Sequence, residues 1–159
     1  MVAATDPQIH AWFTMATVAA GSAPGKPSLI MAGMVDGVAV IDEVRKEYQR
    51  KAVPKRFAAI AEAGHLAFTD ICTIGRQEGG LFGIAQKYGV EIDDAVVAFG
   101  TDGCGPDNLP AEDGWSVIDH YVTAHLRAAF SLDDGPRGLD EAASACFSGR
   151  VAEYEQEAP

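Results

Sequence analysis

Two residues in this chain have the types and the placement for proton transfer, Asp36 and His65. Asp36 falls just past a short apolar run, Ser28-Leu29-Ile30-Met31-Ala32-Gly33. His65 follows a second one, Arg56 to Ala61 (RFAAIA), by way of Glu62-Ala63-Gly64. An imidazole exchanges protons near neutral pH, and a carboxylate accepting from one of its nitrogens fixes the tautomer and stabilises the imidazolium. Both residues fall at expected C-terminal strand ends, the edge at which open α/β sheets bind ligands and do chemistry. Asp36 and His65 are therefore the candidate acid–base pair. The competing assignments are a turn aspartate, which Asp36-Gly37 would suit, and a structural loop histidine. Asp70 is a rival carboxylate, but it lies too close to His65 in sequence to approach the ring from the usual side.

The remaining reactive side chains are less well spaced. His120 and His125 are five apart on a helical pattern and so point to different faces, whereas metal ligands on a helix want a spacing of three or four. Both are read as surface or boundary residues. The loop Asp102 to Asp113 (DGCGPDNLPAED) lacks the ordered D-x-D-x-D-G pattern of a calcium loop and is read as solvated. No metal or cofactor is expected. Three cysteines, Cys72, Cys104 and Cys146, show no C-x-x-C pair. Cys72 and Cys104 both follow turn-like segments, so either a disulfide between them or two buried thiols is open, with Cys146 left over.

The elements that must hold the pair come next. Residues 28–33 are too few and too apolar for a helix and read as a buried parallel strand. Ile41, Val44 and Tyr48 repeat at helical spacing, with Asp42, Glu43, Arg45 and Lys46 on the wet face; Pro54 stops that helix. Residues 56–61 make a second strand, and Ile9 to Val18 (IHAWFTMATV) one more, followed by a Gly- and Pro-punctuated loop. Three parallel strands leave at least one sheet edge that a partner must cover. After His65 the pattern turns helical. Gly79 to Gly89 reads as a short helix closed by Gly89, and Asp93 to Phe99 as another helix or an extended piece. Trp115, Ile118, Val122, Leu126 and Ala129 form the strongest helical stripe, ended by Asp133-Asp134-Gly135-Pro136. The tail, with Val151 and Tyr154 among glutamates, reads as a weakly ordered surface segment.

Strand, acid loop, helix, strand, histidine loop is an order that resembles the α/β-hydrolase family. Gly33-Met34-Val35-Asp36 fits its G-x-x-D acid context and Gly64-His65 its G-H context, in the family's order of acid before histidine. The stretches HLAFTDIC and TDGC are similar to the dienelactone-hydrolase-like or lipase-like branch. The resemblance implies a partial α/β-hydrolase-like parallel sheet of about three strands, with flanking helices and a helical C-terminal region. It implies that residues 1–159 form one domain equivalent to the C-terminal half of a hydrolase: acid loop, histidine loop and last helix. It implies hydrolysis of carboxylic esters through an acyl-enzyme, with His65 as general base and acid and Asp36 orienting it, acting on a small-molecule ester.

The family's nucleophile elbow, G-x-S-x-G or G-x-C-x-G, precedes the acid and does not occur in the chain. Gly103-Cys104-Gly105 is the nearest approach, but Asp102 and Pro106 stand where the outer glycines should be, and it follows the histidine. Ser22 precedes the acid, yet no helix starts there to supply backbone N–H groups. The expectation is a half-site whose attacking group lies on a missing N-terminal half, or else a non-catalytic binding or assembly module built on a hydrolase half-fold. Either version expects the sheet edge to pair with that missing half or with a second copy.

Composition sets the outer bounds. A chain of 159 residues with 48% hydrophobic content supports a globular core in one domain. With 12 Lys and Arg against 23 Asp and Glu, the net charge of −11 repels phosphate backbones and anionic lipid, so neither nucleic acid nor membrane surface is an expected partner. No apolar run is long enough to span a bilayer, and the start, MVAATDPQIHAW, lacks the pattern of a signal peptide, which favours the cytoplasm.

Overall fold

The computed structural model describes residues 5–19, 21 and 23–158. The sheet is built outward from β2, Ser28–Gly33, in which all six residues are buried. An unbroken apolar strand must be covered on both faces, and here it is. β1 (Trp12–Met15) and β3 (Lys55–Ile60) flank β2 and run parallel to it, with Thr14 opposite Ile30 and Ile30 opposite Phe57. Successive β2 side chains alternate between the two faces. Leu29 and Met31 join Ala58, Ile60, Val117 and Tyr121 in one cluster, while Ile30 and Ala32 join Val44, Tyr48, Phe57 and Ala59 in the other. Helix α1 (Ile41–Gln49) covers the second face and the long helix α4 (Ala111–Ala129) the first. Each fully buried aliphatic side chain in these layers contributes about 1.5–3 kcal/mol.

The β2–α1–β3 unit follows the sequence expectation closely. Asp42 and Glu43 in the first turn of α1, and Lys46 in the last, complement the helix dipole. Val44 and Tyr48 point into the core, and Arg50 closes the helix before Pro54. Beyond β3, two short helices follow a series of 3₁₀ turns: α2 (Gly80–Lys87) and α3 (Asp94–Thr101), the latter capped by the Asp93 carboxylate on the Ala95 N–H at 2.9 Å. The helical alternative for residues 93–99 is the one adopted. A five-residue helix, α5 (Glu141–Ala145), precedes the last strand. The result is an α/β fold with three parallel strands, flanking helices and a helical C-terminal region.

Three expectations are corrected. The tail is not a loose surface segment: Val151–Glu157 forms β4, antiparallel to β3, with Ala58 opposite Tyr154. Two of its three glutamates are matched by cations on the neighbouring elements. Glu153 receives the Arg45 guanidinium of α1, and Glu157 lies 2.9 Å from the ammonium of Lys55, which also sits 4.6 Å over the Tyr48 ring. Tyr154 stacks on Tyr121 at 5.0 Å. Charged residues on an edge strand also discourage pairing with foreign strands. The β3 edge is thus covered by the chain's own β4. On the far side of β1 no strand pairs among the described residues.

Helix α4 presents a different face from the expected stripe. The buried residues are Ala111, Gly114, Val117, Tyr121, Ala124 and His125, while Trp115 is exposed and Ile118 and Val122 sit at the core margin. The seam is one residue out of step because small and hydrogen-bonded polar side chains occupy it. Tyr121 donates to or accepts from Ser144 Oγ at 2.8 Å.

His125, read as a surface or boundary residue, is completely buried. Arg56 Nη1 lies 3.1 Å from its Nδ1, and its Nε2 lies 3.1 Å from the Trp12 carbonyl. A guanidinium only donates, so Nδ1 accepts and Nε2–H donates to Trp12. The ring ties α4 to β3 and β1 as a neutral imidazole. Burial, reinforced by the Arg56 charge and partly offset by the Trp12 carbonyl, pushes its pKa down to about 4. His120 does sit at the boundary, its Nε2–H donating to the Gly138 carbonyl at 2.8 Å.

Candidate active site

The loops leaving β2 and β3 run side by side at the C-terminal edge of the sheet. Met34 N–H donates to the Ile60 carbonyl at 3.0 Å and Val35 N–H to the Ala63 carbonyl at 3.1 Å. The approach is so close that a Cβ on Gly33 would fall 2.3 Å from the Ala63 oxygen, which is why the acid loop departs from a glycine. These backbone bonds bring Asp36 and His65 to the same point.

His65 Nδ1 lies 3.1 Å from Asp36 Oδ2, and the Asp36 side chain is fully buried while the imidazole keeps about a fifth of its surface exposed. The other carboxylate oxygen, Oδ1, accepts from the Val38 and Ala39 N–H groups at 2.8 and 2.6 Å. Three donors converge on one carboxylate, satisfying a buried charge. Because an ionised carboxylate only accepts, Nδ1 carries the proton of the neutral ring, and Nε2 is left as the basic nitrogen. Asp70 is exposed at the start of a 3₁₀ turn and is not the residue that meets the imidazole. The ring of Phe99, on α3, lies 5.4 Å from that of His65 and lines one side of it.

A third residue, which the sequence reading placed in a solvated loop, holds the two loops together. Asp102 Oδ2 accepts from Gly37 N–H and Oδ1 from His65 N–H, each at 2.8 Å, and its carbonyl accepts from Leu66 N–H at 2.8 Å. The flanking glycines make room for it. A Cβ on Gly37 would meet Asp102 Oδ2 at 2.7 Å, and one on Gly64 would meet Gly103 Cα at 2.4 Å and Asp102 Oδ1 at 2.5 Å. The Asp-Gly and Gly-His pairs were therefore the available signal, two glycines beside candidate site residues with a packing reason for each.

Cys72 and Cys104 form a disulfide, Cα to Cα 5.1 Å, which anchors the Asp102 segment to the turn after His65. This resolves the open choice over these two cysteines and removes Cys104 as a free thiolate. Cys146 is an exposed free thiol. Ser22 lies outside the described residues. Beside the acid loop, a cleft of about 570 Å³ is lined by Val35, Phe82, Thr101, Asp102, Cys104 and Asn108, among others. Among the described residues no group of three or more His, Cys, Asp or Glu could hold a metal ion, and no helix is long and apolar enough to cross a membrane.

The His65 ring, held from behind by the buried Asp36 carboxylate, and a cleft beside the acid loop make up the chemistry that this sheet edge presents. No protein-family model, curated protein or solved structure matches the chain.

Proposed function

We propose that the chain carries the acid–histidine half of an acyl-transfer site for carboxylic esters. The observation that supports this most is the 3.1 Å contact between His65 Nδ1 and the buried Asp36 carboxylate at the C-terminal sheet edge. In this reading His65 Nε2 takes the proton from an attacking hydroxyl or thiol and later returns it to the departing alcohol. Asp36 keeps Nδ1 protonated and stabilises the imidazolium formed between the two steps. No nucleophile elbow occurs in the 159 residues, and in this reading the pair serves an attacking serine or cysteine that the acid and histidine loops do not themselves include. The substrate class is a small-molecule ester.

One observation favours a second reading, a non-catalytic assembly module. Helices α2 and α3 are apolar yet contain no buried residue, and Leu81, Val96 and Phe99 stand exposed on them, Phe99 against the His65 ring. Apolar surface of this kind marks association.

Hydrolysis of p-nitrophenyl acetate and butyrate by the purified chain separates the two. An activated p-nitrophenyl ester is also cleaved by an imidazole base acting on water, without a serine or cysteine nucleophile, so the acyl-transfer reading expects a rate above that of free imidazole which disappears in His65→Ala. A rate no higher than free imidazole, or one that His65→Ala leaves unchanged, contradicts it and leaves the assembly module.

A further inference from the structure

We propose that Asp102 is a positioning residue for the Asp36–His65 pair. The proposal rests on the reading of those two residues as a working pair, and it concerns what holds them in register. Asp36 and His65 belong to different loops, and a shift of about 1 Å between such loops is enough to lose a catalytic geometry. The Asp102 carboxylate spans the two, one oxygen on the N–H of Gly37, next to Asp36, and the other on the N–H of His65 itself. Its main-chain carbonyl adds a third bond, to Leu66 N–H.

Only a carboxylate provides acceptors on both sides at that length. An Asn at position 102 keeps one acceptor and turns an NH₂ group toward the other N–H, so one loop is released. A neutral hydroxyl reaches one side at most. The segment bearing Asp102 is itself fixed, since Gly103 packs against Gly64 and Cys104 is bonded to Cys72. The Asp102 side chain is thus a strap between the acid loop and the histidine loop, tied down at its own base.

Nuclear magnetic resonance tests this without requiring turnover. Wild type should show a His65 Nδ1–H proton well downfield of the amide envelope, and Gly37 and His65 amides that exchange at least about tenfold slower than in free peptide. Asp36→Asn should abolish the Nδ1–H signal; if it does not, the pair itself is misread. Asp102→Asn should also lose that signal, with the ring nitrogen shifts moving toward a mixture of tautomers. Gly37→Ala, whose Cβ displaces Asp102 Oδ2, should do the same from the other loop. Asp140→Ala removes the carboxylate cap on Ala143 N–H, far from the pair, and should leave the His65 signal intact at a comparable loss of stability. Loss of the signal in Asp36→Asn but its retention in Asp102→Asn and Gly37→Ala overturns the positioning role alone. Unprotected Gly37 and His65 amides in wild type overturn it whatever the variants do.

Discussion

The imidazole of His65 and the carboxylate of Asp36, separated by 29 residues of chain, meet at 3.1 Å because each leaves a parallel strand through a glycine at the same sheet edge. That geometry leaves Nε2 as the free base and turns the ring toward whatever group approaches it. Its consequences can be measured at the pair and in the framework behind it.

Gly64→Ala should destabilise the fold and disturb the pair together. Its Cβ would fall within 2.5 Å of both Gly103 Cα and Asp102 Oδ1, contacts that backbone cannot relieve cheaply. A loss of about 1–3 kcal/mol in urea unfolding is expected.

The buried His125 makes stability depend on pH. Its folded pKa of about 4 lies below its ordinary value of 6.5, so the unfolded state binds the extra proton. Its contribution to stability is fully present above about pH 6.5 and is lost as pH falls toward 4, up to about 3 kcal/mol. Urea midpoints measured across that window should fall with pH in wild type and flatten in His125→Gln.

The Cys72–Cys104 disulfide closes a loop over a sequence separation of 32 residues. Loop-closure entropy assigns it about 3–4 kcal/mol, so a dithiol reductant or the double replacement by Ser should lower the urea midpoint accordingly. Equal midpoints with and without reductant would show that the crosslink contributes nothing.

Removal of residues 151–157 should uncover the β3 edge. The shortened chain is expected to self-associate, read as a shift to larger species in size-exclusion chromatography coupled to light scattering. A stable monomer of native secondary structure would contradict the role given to β4.

Much of the frame was legible in the sequence. Residues 28–33 form the strand that their length and apolarity required, and Ile41, Val44 and Tyr48 mark a real helix ended before Pro54. Asp36 and His65 could be placed because a position at a strand end follows from the strand itself. The rest depended on contacts between distant segments. β4 was hidden by its glutamates, which are poor strand formers until Arg45 and Lys55 are brought opposite them. The face of α4 was misjudged because Gly114, Ala124, Tyr121 and His125 do not register in a count of large apolar residues. Asp102 was invisible as a strap, since nothing local in Thr101-Asp102-Gly103 indicates which backbone donors it will meet. The nucleophile has no counterpart in the described residues to compare.

The central claim is that Asp36 and His65 act as one unit, and a double-mutant cycle on hydrolysis of p-nitrophenyl acetate, an activated ester that an imidazole base cleaves without a serine or cysteine nucleophile, tests it most directly. Rates for wild type, Asp36→Asn, His65→Ala and the double variant would be compared under identical conditions. The account predicts that each single replacement removes most of the protein-dependent rate and that the double variant is no slower than His65→Ala alone. Independent, multiplying effects, or an Asp36→Asn variant as active as wild type, would contradict it.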